Sequence, residues 1–289
     1  MAGRRLRSYR CGDLAEDLGV LLLKTFAAVG AIPRPEDFGI DAVSTLLREG
    51  DKGLLYAEDS FYVQFKSAAD RSIVYSRHEV AWAKQLLLPL FIGSVSREDA
   101  AIRLYTTHAL SRAFIEEDWQ QVTLGLDSDT LHLDAERLKQ QVDAGRRDVY
   151  IGPPVLEWST KQFSDDTFPG LAFDCVKPIV ELEQRNIKYR SIRYCEWIGW
   201  TTNKPGLRSV GDMWFGSLTS RAGIVRVLED MVPQVLALLD DAHTRQDLRD
   251  YDLLMSLVAF MTKEGVNPDP RGDLVALRET IQGIETGTE

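Results

Sequence analysis

The chain has 289 residues, 44% of them hydrophobic and 27% charged, the composition of an ordinary globular protein with one large domain or two modest ones. No apolar run approaches the ~18–20 residues that span a bilayer, so no membrane partner is expected. The formal net charge of −10 argues against indiscriminate nucleic-acid binding, because contacts to phosphates need local positive charge that displaces counterions.

That charge is uneven. Residues 1–110 hold 14 Lys and Arg against 14 Asp and Glu, and the remainder holds 20 against 30. Any contact with phosphates must therefore use a local basic patch. Cys11, Cys175 and Cys195 are odd in number and form no CxxC pair, which fits a reducing compartment and argues against disulfides and a thiolate zinc site. His78, His108, His132 and His243 show no metal-ligand spacing and read as surface or packing residues.

Residues 1–10 carry Arg4, Arg5, Arg7 and Arg10 and no acid, and read as a mobile basic arm. The segment that follows imitates a signal peptide, with Leu18–Leu23 as its apolar run and Ala28–Ala31 as a cleavage site. However, Asp13, Glu16 and Asp17 interrupt the approach, and Lys24 ends the run after six residues, short of the ~7–15 required. The segment is read as a helix of a cytoplasmic protein. Leu14, Leu18, Leu21, Leu22 and Val29 recur at helical spacing from Gly12 to about Val29, and Gly30 and Pro33 stop it.

Strand signals come next. They cover Gly39 to about Arg48, Leu54–Tyr56 and Phe61–Ser67, with turns at Glu49–Gly53 and Glu58–Ser60, and then Ser72–Tyr75. His78 to about Leu87 reads as a helix. Leu88–Val95 is a continuous apolar run, as in a strand buried on both faces, and Ala101–Tyr105 can pair beside it. Short strands are expected at Val122–Leu126, Val149–Ile151 and Val155–Trp158. Helices are expected at Val176–Arg185, Ile224–His243 and Leu248–Lys263. Phe163–Gly170 reads as a linker, which sets a boundary near residue 165. The order helix, strand meander, helix, strand is that of an α/β layer architecture.

The chemistry-bearing group lies in the meander. Alternation along Phe61–Ser67 puts Phe61, Val63 and Phe65 on one face and Tyr62, Gln64 and Lys66 on the other. An amide oxygen and an ammonium thus neighbour each other, and Asp41 near the start of the preceding strand can add a carboxylate. Phosphodiester hydrolysis uses such a set. A hard cation takes oxygen ligands and keeps several waters, polarises the phosphoryl oxygen and acidifies bound water, while a fixed ammonium stabilises charge that develops at phosphorus.

Phe38-Gly39-Ile40-Asp41, followed 22 residues later by Val63-Gln64-Phe65-Lys66-Ser67, resembles the PD-(D/E)XK nuclease superfamily, in particular the Mrr-like branch in which Gln replaces the first acid of the pair. It is also similar to a group of prokaryotic nuclease-like domains, several of them found in genome-defence settings. The resemblance covers about residues 12–110. It implies an α/β restriction-endonuclease-like core and divalent-metal-dependent endo- or exonuclease activity with Mg²⁺ or Mn²⁺, on DNA more than RNA. It also implies roles: Asp41 as metal carboxylate, Gln64 and the Phe65 backbone carbonyl as further oxygen ligands, Lys66 as catalytic lysine, and Glu16 as the helix acid that contacts metal-bound water. Ile40 stands where the pattern has Pro, and Gln64 brings no negative charge.

Plainer readings exist for the same residues. Asp13 and Glu16 have the spacing of a capping box. Asp41 can be a turn residue, and Gln64 and Lys66 the wet face of an edge strand. Glu58 and Asp59 suit a hairpin tip better than a second metal. Between residues 185 and 208, six Lys and Arg stand against one acid among four aromatics. There Lys188, Arg190, Arg193, Trp197 and Trp200 could contact phosphates and stack bases, or form a helix with buried rings. The expectation is a nuclease-like domain over 1–165 and an α-rich accessory region over 166–289, whose helices could dock a partner or a second copy. The rival is a catalytically inactive nuclease-fold module that binds nucleic acid or protein.

Overall fold

The computed structural model describes residues 7–33, 39–116, 119–126, 142–143, 145–190, 194–204, 207–217, 221–269, 274, 275, 277 and 279. The chain divides into two compact units. One contains residues up to Arg190 and Tyr194–Ser217, the other Ser191–Arg193 and Leu218 onward.

In the first unit, helix α1 (Arg7–Leu23) leads into β1 (Ala27–Ala31), β2 (Ala42–Glu49) and the long β3 (Leu55–Ser67). Then come β4 (Ser72–Ser76), α2 (Arg77–Gln85), β5 (Leu90–Ser96), β6 (Ala101–Thr106) and α3 (His108–Glu116). The unit continues with β7 (Gln121–Gly125), β8 (Val142–Asp143), β9 (Arg146–Tyr150), β10 (Leu156–Ser159), α4 (Phe168–Tyr189), β11 (Tyr194–Lys204) and β12 (Leu207–Ser217). Eight strands form one sheet in the order β1-β2-β3-β5-β6-β10-β12-β11, and β4-β7-β9-β8 form a second. In the large sheet β3 and β5 pair in parallel and the other neighbours pair antiparallel. The β3–β5 connection runs through β4 and α2.

Strand alternation sorts the core into two layers. Phe61, Val63, Phe65, Phe91, Ile102 and Leu104 pack with Leu22 and Leu23 of α1 and Val176 and Ile179 of α4. The intervening Ile92 and Tyr105 pack on the other side, with Ile73 and Tyr75 of β4, Val80 of α2, Leu110 of α3 and Val122 of β7. The large sheet is thus covered by α1 and α4 on one face and by α2, α3 and the small sheet on the other. The Trp158 indole N–H donates to the Leu22 carbonyl at 3.0 Å and ties the end of α1 to β10. Gly19 and Gly93 make room for the Phe65 ring, since a Cβ at either would stand 2.4 Å or 2.8 Å from it.

Several elements differ from the sequence expectations. Helix α1 ends at Leu23 rather than near Val29, and Ala27–Ala31 instead pairs with β2. Because α1 begins at Arg7, Asp13 and Glu16 lie in the helix interior and form no N-terminal capping box. Residues 7–10 of the expected arm are helical, and residues 1–6 lie outside the described residues. Glu58–Ser60 is no turn, and β3 runs through it. There Glu58 pairs with Arg48 and Lys177, and Gln184 donates to Asp59 at 3.1 Å, so these acids are cross-braced mid-strand. The division falls at 217/218 rather than 165, because α4 buries Phe168, Val176 and Ile179 against the sheet and β12 pairs with β10. The region after 165 therefore includes a β-hairpin as well as helices.

The second unit contains α5 (Arg221–Thr244) and α6 (Leu248–Lys263). Leu228, Val235, Leu239, Tyr251, Val258 and Met261 form its core. Asp247 caps α6 by accepting the Asp250 N–H at 3.0 Å. No helix among the described residues is long and apolar enough to cross a membrane.

Candidate active site where the β2–β3 ladder ends

The backbone of β3 decides what its side chains can do. The Tyr62 N–H donates to Pro89 at 2.7 Å and the Ala68 N–H to Val95 at 3.0 Å, so the even-numbered residues turn their peptide groups toward β5. The odd-numbered ones face β2, where the Val63 carbonyl accepts the Asp41 N–H at 2.9 Å. Strand β2 begins at Ala42, opposite Val63, so Phe65 has no β2 residue across from it. The Asp41 carboxylate takes that place and accepts the Phe65 N–H through Oδ2 at 2.5 Å. A charge-assisted bond to a backbone N–H contributes about 1.5–3 kcal/mol. In an extended strand, a residue's N–H and C=O point the same way, as the paired exchange across an antiparallel ladder requires. The Phe65 carbonyl is thus directed to the Asp41 side as well.

Phe65 faces α1, and Gln64 and Lys66 project from the other face of the strand. Gln64 is buried, and its Oε1 accepts the Tyr75 hydroxyl at 2.9 Å. Gly39 has φ +97, a conformation that favours glycine, and a Cβ there would meet the Trp82 ring at 3.2 Å and the Gln64 amide nitrogen at 3.5 Å. The turn into Asp41 thus passes close under Trp82 and Gln64. Lys66 is half-buried. Hydrogen bonds from Ser76 hold the Glu79 carboxyl below its ordinary range, and the Lys66 charge adds to this. Burial, aided by the Glu79 and Asp41 charges, pushes the Tyr75 phenol far above its ordinary value. Tyr75 is therefore a neutral donor throughout the working range.

The structure gathers Asp41, Gln64, the Phe65 carbonyl and Lys66 at one strand end. It adds Tyr75, Glu79 and Trp82, which the sequence reading did not single out. Two signals for them were present. Tyr75 lies on the buried phase of a period-2 strand, and Ser76-x-x-Glu79 is the capping-box spacing, which the structure uses, with the Ser76 N–H donating to Glu79 at 2.7 Å. Glu16 belongs to α1, which covers the opposite face of the sheet, and it joins this group only through the family resemblance.

Among the described residues, no three His, Cys, Asp or Glu side chains cluster to hold a metal. The oxygens that suit a hard cation are the Asp41 carboxylate, the Phe65 carbonyl and the second lone pair of Gln64 Oε1. That set fits Mg²⁺ or Mn²⁺ with water completing the shell.

No protein-family model, curated protein or solved structure matches this chain significantly.

The expected nucleic-acid surface takes a different form. Tyr194–Lys204 and Leu207–Ser217 make an antiparallel hairpin, not a helix, which places Trp197 and Trp200 on β11. Arg193 lies outside the described residues. Lys188 is exposed at the end of α4, with Nζ 5.6 Å from the Tyr189 ring. Arg190 turns inward. Its guanidinium lies 5.2 Å from the Phe114 ring and donates to the Lys84 carbonyl at the end of α2, so it is withdrawn from a surface role.

Proposed function

We propose that this protein is a divalent-metal-dependent nuclease that hydrolyses phosphodiester bonds, of DNA more than RNA, at the end of the β2–β3 ladder. The observation that carries this reading is the Asp41 carboxylate bound to the peptide N–H between Gln64 and Lys66. One oxygen of Asp41 is fixed to the backbone, which orients the other. Gln64 is clamped by Tyr75, so its amide oxygen is preorganised. Lys66, two residues from Gln64 along the same face of β3, supplies a positive charge suited to orienting a water and stabilising charge on a phosphoryl group. Mg²⁺ or Mn²⁺, held by Asp41, Gln64 and the Phe65 carbonyl, would supply Lewis-acid polarisation of the phosphate and acidify a bound water. Glu79 sits near enough to Lys66 for the lysine charge to stabilise its carboxylate.

A second reading, a nuclease fold retained for binding alone, is favoured by one observation: the Tyr75 hydroxyl already engages Gln64 Oε1. The two readings separate on a panel of single- and double-stranded DNA and RNA with Mg²⁺, Mn²⁺ or EDTA. Cleavage that needs the metal supports the nuclease, whereas retention of a substrate without cleavage supports the binding module.

A further inference from the structure

A cleft lies between the end of α2, α3 and α4. Glu183 of α4, Thr107, Ser111, Phe114 and Arg190 line it. Leucines from the end of α2 to β5, with Leu110 and Ile187, make the remaining walls apolar. The space is small: about 20 Å³ is open to the centres of water-sized molecules, room for about one small polar group.

Its polar groups are unusual. Glu183 is only 5% exposed, and its Oε1 accepts the Thr106 hydroxyl. The single hydroxyl hydrogen of Thr107 is committed to the Leu90 carbonyl at 2.7 Å. The 3.4 Å contact between Thr107 Oγ1 and Glu183 Oε2 therefore gives a protonated carboxyl a place to donate. Burial raises the Glu183 carboxyl to about 8, outweighing the lowering effects of the threonines and Arg190. Burial likewise lowers the Arg190 guanidinium, against the raising effect of Glu183. For both groups, loss of water outweighs their mutual attraction. Arg190 reaches the α2 carbonyls through Nη1, but its buried Nε–H has no acceptor among the described residues. A buried donor left unpaired in a native structure points to a missing acceptor.

We propose that this cleft binds a short-chain monocarboxylate, its carboxylate held between the Arg190 guanidinium and the neutral Glu183 carboxyl. The carboxylate accepts from Arg190 Nε, giving that N–H its acceptor, and from the Glu183 O–H, which turns to it from Thr107 Oγ1. A short alkyl tail contacts the leucines and the edge of Phe114. A phosphate or sulfate has no apolar part to meet the leucine walls and buries more charge than a monocarboxylate, so it should bind less well. Binding is reversible, and no bond is made or broken. The cleft surrounds the last turn of α2, the opposite end from Glu79, so it is distinct from the Asp41 centre and stands whether or not that centre is catalytic.

The test is calorimetric titration of the purified full chain with acetate, propionate and butyrate, with inorganic phosphate and chloride as controls. At pH 6.5 the expected result is saturable 1:1 binding of the monocarboxylates, with neither control binding comparably. At pH 9.5, about 1.5 units above the Glu183 value, the neutral fraction falls and affinity drops about thirtyfold. Glu183→Gln, which mimics the neutral carboxyl, binds equally at both pH values. Arg190→Gln loses at least about tenfold at pH 6.5. Should that variant unfold, as circular dichroism would reveal, the wild-type pH dependence and Glu183→Gln still decide. Absence of saturable binding, equal affinity for phosphate, or a wild-type affinity that does not change with pH would overturn the proposal.

Discussion

The Tyr75 hydroxyl and the Gln64 side-chain oxygen, 2.9 Å apart and buried, lock the one uncharged member of the Asp41–Gln64–Lys66 group in place. An amide at this position accepts the phenol, less strongly than a carboxylate would, and brings no charge to a cation. Tyr75→Phe leaves a buried amide oxygen without its donor and should cost about 1–3 kcal/mol of stability, measured by urea unfolding. A change within a few tenths would mean that water replaces the phenol.

Gln64→Glu keeps the acceptor for Tyr75 and adds a negative charge beside Asp41. On the nuclease reading it should tighten Mn²⁺ binding at least about tenfold, or 1.4 kcal/mol, in a calorimetric titration. An unchanged affinity would count against Gln64 as a metal ligand.

Asp41 has a structural duty as well as a proposed chemical one, and two substitutions separate them. Asp41→Ala strands the Phe65 N–H and should destabilise the fold by about 1–3 kcal/mol. Asp41→Asn retains an acceptor and should lose about 1 kcal/mol or less, as a charge-assisted bond becomes a neutral one. Equal losses in the two variants would show that the Phe65 bond is not what Asp41 contributes.

Glu183 makes stability depend on pH. Its folded value, about 8, lies above the ordinary carboxyl range, so its contribution is fully present at low pH and is lost as pH rises through 8. Burial lowers His108 to about 4, and its contribution runs the other way, being lost as pH falls from about 6.5 toward 4. The two slopes oppose below about pH 6.5, and Glu183 alone acts from there to 8. In that window wild-type stability should fall by up to about 1.4 kcal/mol per pH unit, and Glu183→Gln should flatten the decline. Parallel wild-type and variant curves would contradict the assignment.

The close approach of α1 to β3 rests on Gly19. A Cβ there would stand 2.4 Å from the Phe65 ring, and Phe65 is fixed by Asp41 through its own N–H. Gly19→Val should cost about 1–3 kcal/mol by overpacking, read from the shift in the unfolding midpoint.

The sequence revealed the strands and helices whose periodicity is strong. β4, β5, β6, α2 and α6 fall within a residue or two of where hydrophobic spacing puts them, because one buried face dictates their pattern. β1 was hidden because Ala27–Ala31 continues a helical stripe, and only pairing with β2 makes it a strand. β11 and β12 were hidden because their aromatics and charges suit a helix equally well by period. At the candidate site, Gln64 and Lys66 were visible through alternation. The burial of Tyr75 and the capping spacing of Glu79 were also legible, but their nearness to β3 was not, since it comes from a crossover that returns α2 over the sheet. Glu183 left no local signal, as its burial is set by threonines 76 and 77 positions earlier.

The most direct measurement of the central claim is the rate of DNA cleavage with Mg²⁺ or Mn²⁺ by wild type, Asp41→Asn and Lys66→Met, each shown to be folded by circular dichroism. The account predicts metal-dependent cleavage by wild type and a loss of at least about a hundredfold in each variant, the scale for removing one preorganised charge. Cleavage at the same rate in all three proteins, or none by wild type with either metal on any DNA or RNA, would contradict it.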